Sequence, residues 1–228
     1  MNYQEHFSQI QSYTENQFPD FYLANGSSIN VTTQINTFIQ QAEERIYNTV
    51  QIPSLRKNVT GNCSPNSVYL GCPNDYLSTY SMAVIDATGN YEFLLNKDVN
   101  FIRQAYPNPS DTGLPRYYGL FGSRLNDPNE LSFILGPTPD AAYTAELHYF
   151  YYPESIVVVG SSWLGDNYPP ALLYGSLVEA YTYMKGEPDM LAAYNVKYNE
   201  ALAQLKRLGD GLERQDAYRS GQVRVQVT

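Results

Sequence analysis

A chain of 228 residues with 43% hydrophobic and 16% charged side chains can fill one large domain or two small ones, and it is too apolar to be disordered. Its 14 Lys and Arg against 23 Asp and Glu give a net charge of −9, which argues against wrapping nucleic acid over a basic surface. The charge is uneven: residues 206–228 hold five basic and three acidic side chains, so the remainder stands at −11.

The chain begins with Met1–Glu5, which has neither a basic region nor an apolar run, so no signal peptide is expected. Residues Tyr3 to Gln17 follow as a short helix with Phe7, Ile10 and Tyr13/Thr14 along one side. Phe18-Pro19-Asp20 stops it, and residues 19–30 read as a loop. Asn30 or Thr32 can then cap a strong helix over 31–50, whose apolar face is Ile35, Phe38/Ile39, Ala42, Ile46 and Val50. Pro53 ends it.

From Leu55 to about Val159 short β runs alternate with turn signals. Tyr80–Ile85 alternates, Asp86–Asn90 turns the chain into Tyr91–Leu95, and Asp98–Gln104 has the length of a helical turn. Arg116–Leu125 is a strand with glycines. Leu131–Leu135, a Gly136–Asp140 turn and Tyr143–Tyr152 then form strand, turn and strand. The last strand sets Leu147, Tyr149 and Tyr151 on one face and Glu146, His148 and Phe150 on the other. Five to seven antiparallel strands in ~100 residues predict a sandwich or barrel-like module. Cys63 and Cys72, nine residues apart in a loop, could close a hairpin as a disulfide or stay reduced.

Ala171–Lys185 carries Leu173, Leu177, Ala180, Tyr181 and Met184 at helical spacing. Gly186 ends that helix and Pro188 opens the next, over 189–208, with Leu191, Tyr194, Tyr198, Ala201, Leu202 and Leu205. The two read as an antiparallel hairpin whose apolar faces need covering by the earlier helices. Gly209-Asp210-Gly211 is expected to break the helix. Residues 209–228 then form an extended arm, ~65 Å long at ~3.3 Å per residue. Its last stretch, Gln222–Val227, alternates polar and β-branched residues like a strand seeking a sheet edge.

The expected fold is therefore α+β: a four-helix bundle from residues 1–54 and 161–208, an inserted antiparallel β module over 55–160, and a C-terminal arm over 209–228. No catalytic set is evident. There is no phosphate loop and no HExxH, and Gly160-Ser161-Ser162-Trp163-Leu164 lacks the second glycine of a nucleophile elbow. The only two histidines, His6 and His148, lie in a helix and a strand, where structural roles fit. No enzyme activity, cofactor or metal is expected, and no apolar stretch is long enough to span a membrane.

Four stretches resemble one family. Phe38-Ile39-Gln40-Gln41-Ala42-Glu43-Glu44-Arg45-Ile46-Tyr47, Gly113-Leu114-Pro115-Arg116-Tyr117-Tyr118, Leu135–Asp140 running on to Tyr149 and Tyr151, and Ser162-Trp163-Leu164 followed by Leu173–Ala180 are similar to blocks of the head-to-tail adaptor proteins of short-tailed bacteriophages. They occur in that family's order across residues 31–205. The resemblance implies a non-enzymatic connector, or tail-tube gatekeeper-like protein, in the virion neck, assembled in the host cytoplasm. It also implies a ring of usually twelve copies beneath the portal protein, above a tail nozzle or tail-tube protein, with genomic DNA passing through unread. Glu43, Glu44 and Arg45, with both charge signs on a helix face read as exposed, are the candidates for contacts between neighbours in such a ring. Tyr218, Arg219, Val223, Arg224, Val225 and Val227 are the candidates by which the arm would grip the portal. The 22 tyrosines keep a second class open, a carbohydrate- or receptor-binding tail module with an aromatic platform.

Overall fold

The computed structural model describes residues 1–16, 18–22, 28–122 and 131–212. The chain divides into two compact units, Met1–Pro53 together with the segment from Pro153 onward, and Ser54–Tyr152 between them. The first is helical and the second carries most of the strands.

In the helical unit, α1 (Tyr3–Thr14) opens with a capping box between Asn2 and Glu5 and closes on Glu15 in the left-handed region, three residues before the expected end. It turns His6 and Ile10 inward, while Tyr13 is exposed. The expected loop holds a two-stranded ladder, β1 (Phe21–Tyr22) with β2 (Ser28–Ile29). Helix α2 (Val31–Thr49) is capped by the Asn30 side chain on the Thr33 amide, and Ile35, Phe38, Ile39, Ala42 and Ile46 are buried on the face that the spacing predicts. Two short helices, α4 (Ile156–Val159) and α5 (Trp163–Asn167), lie at the end of the expected β runs and between them and the helix expected from Ala171. Each is a single turn set by one capping serine, Ser155 and Ser162, too short to show a period.

Helix α6 (Pro169–Met184) is the centre of this unit. Its closest helical neighbours are α1, α2 and α7 (Pro188–Leu212). A helix packed on several sides cannot afford a polar stripe. Accordingly Ala171, Leu172, Leu173, Gly175, Ser176, Leu177, Val178 and Ala180 are all buried, a wider set than the single face the spacing predicts. Gly175 lets α2 and α7 come close: a Cβ there would lie 3.1 Å from both the Ala42 Cβ and a ring carbon of Tyr198.

One expectation fails here for an identifiable reason. Helix α7 does not break at Gly209-Asp210-Gly211 but continues to Leu212. Gly209 is buried, and a Cβ on it would sit 3.0 Å from the Gln51 carbonyl oxygen. The glycine admits a neighbouring backbone and does not stop the helix. An arm over 209–228 therefore loses its first four residues to α7, and residues 213–228 lie outside the described residues.

The second unit contains two four-stranded sheets. One has the order β3 (Arg56–Asn62), β10 (Thr144–Tyr151), β5 (Tyr76–Ile85), β6 (Tyr91–Phe93), all antiparallel. The other runs β4 (Tyr69–Gly71), β9 (Ser132–Gly136), β8 (Tyr117–Phe121), β7 (Leu95–Asn96), with β7 parallel to β8. They share one core, in which Met82, Val84, Leu147 and Tyr149 from the first meet Tyr118, Phe133 and Leu135 from the second. The single run expected over Tyr91–Leu95 is in fact a crossing between sheets, with the buried Leu94 as its pivot. Helix α3 (Val99–Ala105) then lies over β8 and β9.

Candidate interaction surfaces

The charged run on α2 splits between core and solvent. Glu44 and Arg45 are exposed, and Arg45 reaches across to pair with Glu179 of α6. Gln41, Glu44, Arg45, Asn48 and Glu179 together line a shallow depression. Glu43 corrects the sequence reading: it is only 3% exposed and points inward. Its Oε1 accepts the Ile156 amide at 3.0 Å, and the Ser155 side chain also bonds it, so it holds the start of α4. Burial pushes its carboxyl pKa upward, partly offset by those two hydrogen bonds. The i, i+1 geometry of a helix explains the split, since adjacent residues lie about 100° apart and cannot all face outward. Sequence spacing carried the signal, because Glu43 follows Ile39 and Ala42 on the apolar stripe at four- and one-residue steps.

The helical unit holds a second buried polar site. His6, fully buried, places Nε2 3.1 Å from the Ser176 Oγ. Ser176 donates its own proton to the Leu172 carbonyl, so the imidazole donates from Nε2 and its Nδ1 has no partner. Burial, and secondarily the charge of the Met1 ammonium, hold its pKa down at about 4. That ammonium donates to the Gly165 carbonyl at 2.7 Å and lies 3.5 Å from Asp166. These contacts anchor α1 on α5 and α6, and Ser162, the residue nearest a nucleophile elbow, caps α5 through the Gly165 amide at 3.1 Å.

In the β unit both cysteines are free thiols, and burial raises Cys63 to about 11, which keeps it protonated and unreactive. His148 bonds Glu146 on its own strand. Among the described residues no group of three or more His, Cys, Asp or Glu could hold a metal, and no helix is long and apolar enough to cross a membrane. The candidates Tyr218, Arg219, Val223, Arg224, Val225 and Val227 all lie outside the described residues.

A helical unit packed around one central helix is joined to a two-sheet unit, and polar helix faces are exposed on the first. The chain belongs to the SU10 adaptor protein family, whose model matches residues 1–226. It is accordingly a phage structural adaptor and a virion component, and that membership implies a non-enzymatic role. No curated protein matches it significantly.

Proposed function

We propose that copies of this chain close into a ring, twelve in number, that joins the phage portal protein to the tail nozzle or tail tube in the virion neck. The observation that carries this reading is the adaptor-family match over residues 1–226. The helical unit serves as a four-helix bundle facing its neighbours, and the β unit is a separate inserted module. A closed ring needs a heterologous interface, one face of each copy meeting a different face of the next. The exposed Glu44 and Arg45, with the polar depression between α2 and α6, supply one such face; Glu43 is withdrawn from it by burial. The net charge of −9 lets genomic DNA slide past such a ring without being held.

Attachment to the portal falls to residues 213–228. There Val223, Val225 and Val227 alternate with polar residues, while Arg219 and Arg224 can meet acidic groups and Tyr218 adds an aromatic contact. The test is reconstitution in the host cytoplasm with portal-bearing heads. The chain truncated after Leu212 should keep its melting temperature and fail to join the heads. Wild-type occupancy by the truncated chain would move the anchor to the helical unit.

A further inference from the structure

The two sheets of the β unit treat their outer faces differently. On the β4-β9-β8-β7 sheet, α3 covers the outside. Two glycines make room for it: a Cβ on Gly119 would meet the Lys97 carbonyl at 2.8 Å, and one on Gly136 would meet the Ile102 Cγ2 at 2.7 Å. Among the described residues no helix of the unit packs closely on the β3-β10-β5-β6 sheet. Cross-strand register places Phe93, Ala83, Glu146 and Thr60 in one outward row, and Tyr91, Ile85, Thr144 and Asn62 in the row beside it.

Two features of that open face stand side by side. On the edge strand, Tyr91 and Phe93 are 53% and 67% exposed, with stacked rings 6.3 Å apart and 26° from parallel. On the next strands, the Glu146 carboxylate accepts from Asn58 Nδ2 at 2.7 Å, sits 2.9 Å from His148 Nε2, and is also bonded by the Tyr91 hydroxyl. A carboxylate with three fixed partners is a preorganised polar centre, and the two rings beside it offer electron-rich faces.

We infer that this face binds a neutral saccharide, with Tyr91 and Phe93 taking an apolar sugar face and the Asn58–Glu146–His148 row taking hydroxyls. The centre of a protein–protein interface is depleted of charged groups, whereas the centre here is a carboxylate. A polyanion, whether nucleic acid or acidic glycan, would face that carboxylate on a chain of net charge −9. His148 and Asn58 hold the Glu146 carboxyl below the usual range, so it stays an anionic acceptor near neutral pH. A ligand rich in hydroxyls and without charge satisfies both constraints. This site is independent of ring formation and of portal attachment.

The experiment is a screen of the full chain on an array of neutral and acidic bacterial-type oligosaccharides, followed by calorimetric titration of the best-retained neutral probe. Tyr91→Ala and Phe93→Ala, both at exposed rings and expected to keep the wild-type melting temperature, should each weaken the probe about tenfold. The double variant should abolish retention. Glu146→Gln, which keeps one acceptor and loses the charge, should weaken binding less than either ring variant. Retention of acidic glycans alone, no retention of any neutral probe, or neutral binding that survives the double variant would each overturn the assignment. So would capture of a tail protein from virion lysate that the double variant loses, since the face would then belong to a protein.

Discussion

The two units bury their interiors by different geometries, and the sequence marks each differently. In the helical unit α6 is packed by α1, α2, α5 and α7, so it is apolar around most of its circumference, while α2 keeps a clean stripe. In the β unit β9, inside its sheet, is buried at all five positions, while β3, at an edge, is exposed at six of seven. An element's sequence pattern thus reports its place in the packing more than its conformation. Central elements read as continuous apolar runs, and edge elements read as loops.

The comparison predicts its largest effects where each unit is most enclosed. Leu177→Ala in α6 and Phe133→Ala in β9 remove side chains with no exposed surface, and each should cost about 2–5 kcal/mol in denaturant unfolding. A loss below about 1 kcal/mol at Leu177 would mean that α6 is not central.

The chain's two histidines sharpen the contrast. His148 lies on a sheet face with 44% of its side chain exposed, whereas His6 is sealed inside the helical unit. With a folded pKa of about 4 against an ordinary 6.5, His6 stays neutral in the folded chain while the unfolded chain takes up a proton. Above pH 6.5 it has no effect. Between 6.5 and about 4 it should withdraw up to roughly 3 kcal/mol, levelling off below that. His6→Gln, compared with wild type across this range, should flatten the difference. Parallel profiles would show that His6 is not neutral when folded.

Smaller effects come from glycines that admit backbone, of which Gly209 in the helical unit and Gly119 in the β unit are examples. Gly→Ala within a helix ordinarily gains up to about 1 kcal/mol. At Gly209 the added Cβ meets the Gln51 carbonyl at 3.0 Å, so the gain should vanish or reverse. Gly119→Ala, with only 2.8 Å to the Lys97 carbonyl, should cost about 1–3 kcal/mol in the same unfolding assay. Stabilisation at both positions would remove these close approaches from the account.

These same particulars show what was legible in the chain. Helix α2 with its Asn30 cap, the turn into α7, and strands β9 and β10 announce themselves by period and punctuation. Strand β3, the sequence Arg-Lys-Asn-Val-Thr-Gly-Asn, does not, because its order comes from pairing with β10 across more than 80 residues. A glycine's local meaning is flexibility, which suggests a stop at Gly209, while its meaning here is a tertiary contact with the Gln51 carbonyl. The charge of Glu43 suggests solvent, although its spacing puts it beside Ala42 and Ile39 on the buried face. The polar row at Glu146 was visible as alternation along β10, but its partners Asn58 and Tyr91 come from strands that only the fold brings alongside.

The measurement that bears most directly on the adaptor reading is native mass spectrometry of the full chain, alone and mixed with its portal protein. A single closed species of twelve copies is expected, formed alone or on the portal, and weakened when Glu44 and Arg45 are both reversed in charge. A chain that remains monomeric or trimeric in the presence of portal would contradict it.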